Sequence, residues 1–321
     1  MKRLVKSALF FVLYYSGIER VLARLIRPRA VAILMYHGVC DQASLPPEIN
    51  FHLPRKEFAQ QMRALRSRYP VISLDAVVGS LRDGTSLEKA VVITFDDGYR
   101  NNALYAAPIL KQMGLPYTVY VATAYVESRT WIPLNQVYWL WSEGRISSEQ
   151  MKEMRKRIRG IPSGAQVLDF EVAEPSRASN AAEESFGMLS WEELQGMASH
   201  GAVFGSHTHT HCNMAVESNE RQREELNTSK NLLESHLNSP VHSFAYPYGR
   251  KAQMSAAARE NIILAGYSCA LSAENGLTTV ASDRFSLPRL GYERPIWRFT
   301  GEILYQFGKQ AWRDRRNKSR R

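Results

Sequence analysis

Three histidines alternate with two threonines in the stretch GSHTHTHCN, although the 321-residue chain contains only eight histidines. Imidazole nitrogens are common ligands of divalent metals. Histidines four positions apart share one face in a helix and in a strand, so His207 and His211 can act together in either geometry. His209 joins them only if the segment stays extended. The spacing leaves both arrangements open, as it does a solvated loop that binds no metal.

Two adjacent carboxylates follow an apolar, β-branched run in the stretch VVITFDDGY. The run predicts a buried strand that ends at Asp96 and Asp97, where Gly98 turns the chain. In parallel α/β folds the carboxyl ends of the strands carry the ligand site. A second such strand, AVFGSH, ends at His207. Together the two strand ends would offer carboxylate oxygen and imidazole nitrogen to a divalent metal. The alternative is that one Asp caps the following helix while the other faces solvent.

The elements that must position these residues alternate along the chain. Apolar runs predict strands and the stretches between them predict helices, which is the βαβ pattern of a parallel sheet in an α/β fold. The alternation of predicted strands and helices stops over residues 126–188. We interpret this segment as an insertion in one continuous fold, because strands resume after it. The predicted strands lie at 31–37, 70–74, 90–95, 116–123, 202–207, 241–249, 267–271 and 284–290, and the predicted helices at 55–69, 99–113, 190–201 and 252–266, with a long polar helix ending near 237.

The composition is that of a globular protein, with 45% apolar and 22% charged residues. The three cysteines, Cys40, Cys212 and Cys269, are widely spaced and include no CxxC pair. This spacing argues against a disulfide framework and favours a reducing compartment. Cys212 adjoins His211, and we interpret it as a packing residue. The formal net charge of +10 lies largely near the two ends of the chain. No nucleic-acid-binding pattern accompanies it, so we predict no nucleic-acid partner.

The N-terminal segment, residues 1–30, is basic and amphipathic. Its apolar run from Ala8 to Tyr15 is shorter than the roughly 20 residues that a membrane span needs. We predict an interfacial helix on the inner membrane surface of a cytoplasmic protein. The alternatives are a helix that packs on the protein's own core, and a periplasmic or membrane-anchored location. The main domain is predicted at 31–295, followed by a C-terminal helix and basic tail at 296–321.

Three stretches together resemble the first three motifs of the NodB-homology polysaccharide deacetylases, carbohydrate esterase family 4. They are TFDDG at 94–98, HTHTH at 207–211 and FAYPYG at 244–249. The resemblance covers roughly residues 31–290. It implies a distorted, incomplete (β/α) barrel that carries the insertion. It also implies hydrolysis of the acetamide of N-acetylated sugars in a polysaccharide or glycan precursor, with one divalent metal ion, commonly Zn²⁺.

The resemblance assigns roles to individual residues. Asp97, His207 and His211 correspond to the metal ligands, and Asp96 corresponds to the general base. His209 falls on a variable position of the motif and is therefore excluded from the ligand set. The chemistry is consistent with these roles. Three protein ligands leave an open metal position for a water whose pKa falls toward about 7, and a carboxylate that does not bind the metal is free to accept a proton.

Other parts of the family pattern differ in this chain. The backbone amide of Tyr248 matches the group that, with the metal, holds the oxyanion. The late leucine-x-histidine motif is absent, because no histidine follows position 242, and the third motif lacks its usual arginine. The stretch LMYHGV resembles the exopolysaccharide deacetylases in which an early histidine, here His37, is the general acid. Arg289 in SLPRL could pair with Asp96. The alternatives are a structural histidine and an ordinary ion pair.

The leading functional hypothesis is a metal-dependent deacetylase acting on N-acetylhexosamine. One alternative is a C–N hydrolase that acts on a small non-sugar amide. Another is a carbohydrate-binding relic that has lost turnover. Trp131, Trp139 and Trp141 could stack on sugar rings, but their helical spacing favours a small core within the insertion, so we exclude them from the site.

Overall fold

Seven parallel strands close into a barrel in the computed structural model, which describes residues 2–41, 51–162 and 179–318. The strands of the described residues are β1 (Val31–Tyr36), β2 (Gly38–Cys40), β3 (His52–Pro54), β4 (Ala90–Phe95), β5 (Tyr117–Val121), β6 (Ala202–Ser206), β7 (Ser243–Ala245), β8 (Cys269–Asn275) and β9 (Leu287–Gly291). The barrel order is β1-β4-β5-β6-β7-β8-β9, with β9 returning to pair with β1, while β2 and β3 form a separate parallel pair.

The apolar runs become barrel strands because both of their faces are covered. All six residues of β4 are buried, and β1 buries five of its six. The two strands pair over their whole length, from Val31 opposite Ala90 to Tyr36 opposite Phe95. Strands buried on both faces have continuous apolar sequences rather than alternating ones, as these do.

The barrel is incomplete and distorted, as the family resemblance implied. It has seven strands, whereas a complete (β/α) barrel has eight. Strand β7 contains only three residues, and the pairing of β8 with β9 shifts register between Leu271 and Asn275. The predicted α/β fold class is therefore confirmed.

Helices surround the barrel and cover its outer face. The capping box predicted at the start of the helix near position 190 is present, with Ser190 Oγ accepting from Glu193 N–H and the Glu193 side chain accepting from Ser190 N–H. The helices of the described residues are α1 (Lys2–Tyr15), α2 (Ile18–Leu25), α3 (Arg55–Arg68), α4 (Leu74–Arg82), α5 (Ala107–Met113), α6 (Thr123–Ser128), α7 (Pro133–Ser142), α8 (Ser148–Gly160), α9 (Asn180–Phe186), α10 (Trp191–Ala198), α11 (Asn219–Leu237), α12 (Ala256–Leu264) and α13 (Ile296–Lys318).

The insertion contributes helices α7, α8 and α9, which bury a small apolar core of their own. Trp131 and Trp139 are buried in it, with their ring centroids 5.6 Å apart in an edge-on arrangement, and Trp141 packs against it. The tryptophans therefore form a core, as predicted. Residues 163–178 of the predicted insertion and residues 319–321 of the predicted basic tail lie outside the described residues.

Two local predictions were wrong. The stretch 70–74 was predicted as a strand, but Val71 makes only an isolated bridge to Val91. Ser73 accepts a hydrogen bond from Ala76 N–H and caps α4, which begins at the next residue. The N-terminal segment was predicted as one helix, but it forms two. Gly17, with φ of 76°, separates α1 from α2, because a left-handed residue cannot continue a right-handed helix.

Candidate active site

One pocket at the carboxyl ends of the barrel strands gathers all the side chains that the sequence analysis selected. Most of them come from segments that directly follow a barrel strand, whereas Arg289 lies within β9. The pocket has a volume of about 220 Å³. Its lining includes His37, Asp96, Asp97, His207, His211, Tyr248 and Arg289.

Asp97, His207 and His211 form a buried cluster in this pocket. Asp97 Oδ1 lies 3.4 Å from His207 Nε2 and 3.2 Å from His211 Nε2. In a tetrahedral zinc site, bonds of about 2.0–2.1 Å place neighbouring ligand atoms about 3.3 Å apart. The observed separations match that spacing, so the donor set fits one divalent metal ion. Within the described part of the chain, no other group of three His, Cys, Asp or Glu residues brings its ligand atoms this close together.

The environment of the cluster sets its protonation. His207 Nδ1 donates to the carbonyl oxygen of Ala245 at 2.7 Å, which directs the Nε2 edge of the ring toward Asp97. Burial lowers the pKa of His211 despite the opposing effect of Asp97. Burial alone would raise the pKa of Asp97, but its hydrogen bonds with the two histidines outweigh burial and hold that pKa well below its usual range. A neutral imidazole and an ionised carboxylate are the forms that bind metal.

Several residues of the site have left-handed backbone conformations, which residues other than glycine rarely adopt. Asp97, Thr208, His211 and Tyr248 have φ between 56° and 75°. Such left-handed residues cost about 1–3 kcal/mol each and persist where the surrounding structure imposes them, commonly at functional sites. Gly98 continues the turn with φ of 86°, and a Cβ there would lie 3.2 Å from Val121. The backbone conformation of the turn after β4 therefore determines the direction of the Asp97 carboxylate.

The three histidines of the HTHTH motif at 207–211 do not point in the same direction. Thr208 is left-handed, with φ of 63°, so the segment is not an extended strand after His207. His209 Nδ1 lies 2.9 Å from Thr123 Oγ1, at the start of α6, and His209 lies outside the cluster. His207 and His211 are the pair that converges on Asp97.

Asp96 points to a different partner from its neighbour Asp97. Its two carboxylate oxygens accept hydrogen bonds from Arg289, Nη1 to Oδ1 at 2.6 Å and Nη2 to Oδ2 at 2.7 Å. Arg289 also donates from Nε to the carbonyl oxygen of Ser272 at 2.8 Å, and its side chain is fully buried. Burial alone would raise the pKa of Asp96, but the guanidinium outweighs it and the net pKa is lowered. Asp96 is therefore ionised at neutral pH.

Tyr248 and His37 lie on the wall of the same pocket. The Tyr248 ring packs edge-on against His211, with the centroids 5.0 Å apart. The backbone N–H of Tyr248 makes no hydrogen bond to any described residue, so it is available to a bound group. His37 is half-buried, follows β1 directly and contacts Phe51, with the ring centroids 6.2 Å apart.

Comparison with known proteins shows which family the chain belongs to. The family profile described as Polysaccharide deacetylase matches residues 83–269, which is more than half of the sequence. The chain belongs to the polysaccharide deacetylase family. The matched region contains Asp96, Asp97, His207 and His211, that is, the whole cluster and its neighbouring carboxylate. As a member of this family the chain is a hydrolase that deacetylates polysaccharide.

Relatives of the deacetylase agree in sequence and in fold. YxkH of Bacillus subtilis (strain 168), which is assigned to the polysaccharide deacetylases, is 24% identical over 266 residues, covering 82% of this chain and 72% of its own. The deacetylase PplD of Streptococcus pyogenes, solved with acetate, superposes with a TM-score of 0.61 at 21% identity, over 87% of this chain and 98% of its own. IcaB of Ammonifex degensii superposes with a TM-score of 0.60 at 20% identity, over 86% of this chain and 97% of its own.

The sequence analysis missed the part of the deacetylase pocket that the insertion builds. Asn135 and Tyr138 on α7 and Arg159 on α8 line the pocket together with the predicted residues. Asn135 Oδ1 accepts a hydrogen bond from Tyr99 OH at 2.9 Å, and the Arg159 guanidinium lies 5.1 Å from the centre of the Tyr248 ring. Nothing in the local sequence marks these residues, because the helices that carry them reach the barrel only through tertiary packing.

A buried carboxylate on α11 also escaped the sequence analysis. Glu225 accepts from the backbone N–H of Thr210 at 2.7 Å and from its hydroxyl at 2.8 Å, and pairs with Arg221 one helical turn away at 2.7 Å. These contacts fix the loop after β6 between His207 and His211. Glu225 therefore positions the two histidines without touching them.

Proposed function

We propose that this polysaccharide deacetylase is a metal-dependent enzyme that removes the acetyl group from N-acetylhexosamine units of a polysaccharide or glycan precursor. One observation carries the proposal: two histidines and one carboxylate converge at 3.2 and 3.4 Å, while the adjacent carboxylate is held apart by an arginine. In this arrangement Asp97 can bind a metal, whereas Asp96 remains free to accept a proton.

The ligands in this proposal are Asp97, His207 and His211. The divalent ion that fits this mixed oxygen and nitrogen set is Zn²⁺, in a site with three protein ligands. When bound, such an ion lowers the pKa of a water and polarises the acetyl carbonyl. The Ala245 carbonyl that accepts from His207 Nδ1 fixes the orientation of that ring.

Asp96 is proposed as the general base. Its carboxylate is ionised because Arg289 lowers its pKa against the effect of burial. It accepts the proton of the attacking water, whose oxygen adds to the acetyl carbon. Arg289 binds both carboxylate oxygens and thereby fixes the direction of the remaining lone pairs. A correctly oriented base contributes about 10²–10⁴-fold to such a step.

The remaining two roles concern the oxyanion and the leaving amine. The Tyr248 N–H, which has no partner among the described residues, would donate to the oxygen that gains charge. His37 would donate a proton to the sugar nitrogen as the C–N bond breaks. The products are acetate and a free amine on the sugar. Both groups lie in the same pocket as the two aspartates.

The pocket wall supports a sugar ring as the substrate. Aromatic and apolar side chains line the pocket together with Asp97, His207 and His211, and aromatic rings of this kind can pack on the faces of a sugar ring. The pocket volume of about 220 Å³ is small, so it suits one acetylated unit with the rest of the glycan outside. The residues of this wall are Phe51, Tyr99, Ile132, Leu134, Tyr138 and Tyr246.

The test is acetate release from N-acetylglucosamine oligomers by the full-length protein. We expect turnover that stops after dialysis against a chelator and returns when Zn²⁺ is added back. A small acetanilide serves as the comparison substrate. Faster turnover of the anilide than of the oligomers would favour the small-amide alternative. Binding of the oligomers without acetate release at any metal concentration would favour the inactive alternative.

A further inference from the structure

Helix α1 turns its apolar side away from the protein. Leu4, Val5, Leu9, Val12 and Tyr15 are between 53% and 76% exposed. At about 100° per residue these positions lie on one side of the helix. A surface helix of a globular protein normally presents its polar side to solvent, so an exposed apolar stripe of this length on α1 is unusual.

Contacts on the opposite side fix this orientation. Lys6 Nζ pairs with Glu302 on α13 at 2.6 Å, and Arg298 donates to Ser7 Oγ at 3.0 Å. Phe10 is buried against Gly301, where an added Cβ would lie 2.4 Å from the Phe10 ring. Because α13 holds the opposite side of α1 through these specific contacts, the fold itself directs the apolar stripe outward.

Helix α2 carries a second exposed apolar stripe, with positive charge beside it. Ile18, Val21 and Leu25 are between 48% and 67% exposed and lie along one stripe. Arg20 and Arg24 are exposed beside the stripe. An apolar stripe flanked by basic side chains is the pattern of a helix that lies in the surface of a membrane.

We propose that these two helices dock the protein on a bilayer that contains anionic lipid. The apolar side chains would enter the boundary between headgroups and acyl chains, with the arginines at the phosphates. None of the helices in the described ranges combines the length and apolarity of a membrane span. The docking face, called the α1–α2 face below, consists of Leu4, Val5, Leu9, Val12, Tyr15, Ile18, Val21 and Leu25.

Charge favours lipid over a second copy of the chain as the partner. In a two-fold dimer the same face meets itself, so the arginines of one copy approach those of the other. The exposed Arg20 and Arg24 would then repel their counterparts, as would the exposed Arg27 and Arg29 that follow α2. Anionic headgroups instead complement all four charges.

The inward side of α1 lies close to the catalytic pocket. Lys6, Ser7 and Phe10 of α1 line a second cavity that shares Met35 and Arg289 with the active-site pocket. Docking through the outward side of α1 would therefore hold the pocket within reach of a glycan at the membrane surface. This consequence rests on the proposed function, whereas the docking itself does not.

The test is co-sedimentation of the full-length protein with vesicles, which needs no catalytic activity. We expect binding to vesicles of phosphatidylcholine mixed with phosphatidylglycerol, and weaker binding to phosphatidylcholine alone. The double variant Leu9→Glu/Val12→Glu should lower the bound fraction at least about tenfold, because it places charge in the apolar face. Both residues are more than half exposed, so the variant should fold.

The matched control is Leu264→Glu/Val280→Glu, the same two changes at residues 71% and 53% exposed elsewhere on the surface. It should bind the vesicles as the wild-type protein does. Equal binding by the two double variants, or no binding by the wild-type protein, would overturn the proposal. So would a wild-type dimer in sedimentation equilibrium that Leu9→Glu/Val12→Glu converts to a monomer.

Discussion

Arg289 and Asp96 lie 193 residues apart in the sequence and form a buried ion pair with two hydrogen bonds of 2.6 and 2.7 Å. The third family motif of this chain lacks its usual arginine, and β9 places Arg289 against the carboxylate instead. The pairing fixes Asp96 beside the cluster of Asp97, His207 and His211 and holds its carboxylate apart from that cluster. The orientation of the Asp96 carboxylate, the proposed general base, therefore depends on the last strand of the barrel.

Arg289→Met should destabilise the fold and reduce activity. The change leaves Asp96 buried without its counter-charge, and breaking a buried pair in this way costs about 3–5 kcal/mol. The measurement is denaturant unfolding together with acetate release. Arg259→Met is the control, since it breaks the pair with Asp283 in which both side chains are nearly half exposed. If both variants lost the same small amount of stability, Arg289 would be an ordinary ion-pair residue.

Asp96→Asn should keep its metal and lose at least about 10²-fold in kcat, because the general base is removed while the ligand set survives. The amide can still accept a hydrogen bond from Arg289, which limits the structural change. Metal content and acetate release are measured on the same preparation. A variant that kept most of its turnover would move the role of base to another residue.

His37→Ala should bind metal normally and lower kcat on acetamides more than on acetate esters. An amine leaves poorly without a proton, whereas a phenoxide needs less help. Both substrates are assayed at one pH on the same enzyme preparation, and its metal content is measured alongside. His242→Ala, at an exposed position, is the control. An equal loss on both substrates, or no loss on either, would make His37 a structural histidine.

Stability should fall as the pH drops from about 6.5, because His52 must remain neutral in the folded protein. Burial is the main cause that lowers the pKa of His52 from 6.5 to about 3. A lowered histidine pKa gives stability that is complete above 6.5 and is lost as the pH falls toward 3. The slope from one such group is at most about 1.4 kcal/mol per pH unit.

Denaturant unfolding between pH 7 and pH 4 measures this dependence. His52→Gln removes the titrating group, so its free energy of unfolding should depend less steeply on pH by the slope of one proton. His200→Gln, at an exposed position in the turn after α10, should leave the wild-type slope unchanged. If the free energy of unfolding of His52→Gln depended on pH as steeply as that of the wild-type protein, His52 would not govern acid stability.

The sequence was informative where one local pattern determines both an element and its end. The run VVITF predicted β4, and the change from apolar to carboxylate residues marked its carboxyl end at Asp96 and Asp97. The same reasoning placed His207 at the end of β6. Because parallel strands end on the same side of a barrel, residues more than a hundred positions apart could be predicted to meet.

The sequence was uninformative where tertiary contacts determine the structure. The apolar stretch at 70–74 has strand-like residues, but the cap at Ser73 starts a helix there. Asn135, Tyr138 and Arg159 reach the pocket because the insertion folds over the barrel mouth, and no spacing within α7 or α8 encodes that docking. The choice between two and three converging histidines also depended on the left-handed Thr208, which composition does not reveal.

Metal content of the purified protein tests the central claim most directly. By elemental analysis we predict one divalent ion per chain in the wild-type protein, and almost none in Asp97→Ala, His207→Ala and His211→Ala. His209→Ala loses only a contact to Thr123 and should retain its ion. A wild-type protein without metal after reconstitution with Zn²⁺, or a His209→Ala variant as depleted as its neighbours, would contradict the assignment of Asp97, His207 and His211 as the ligands.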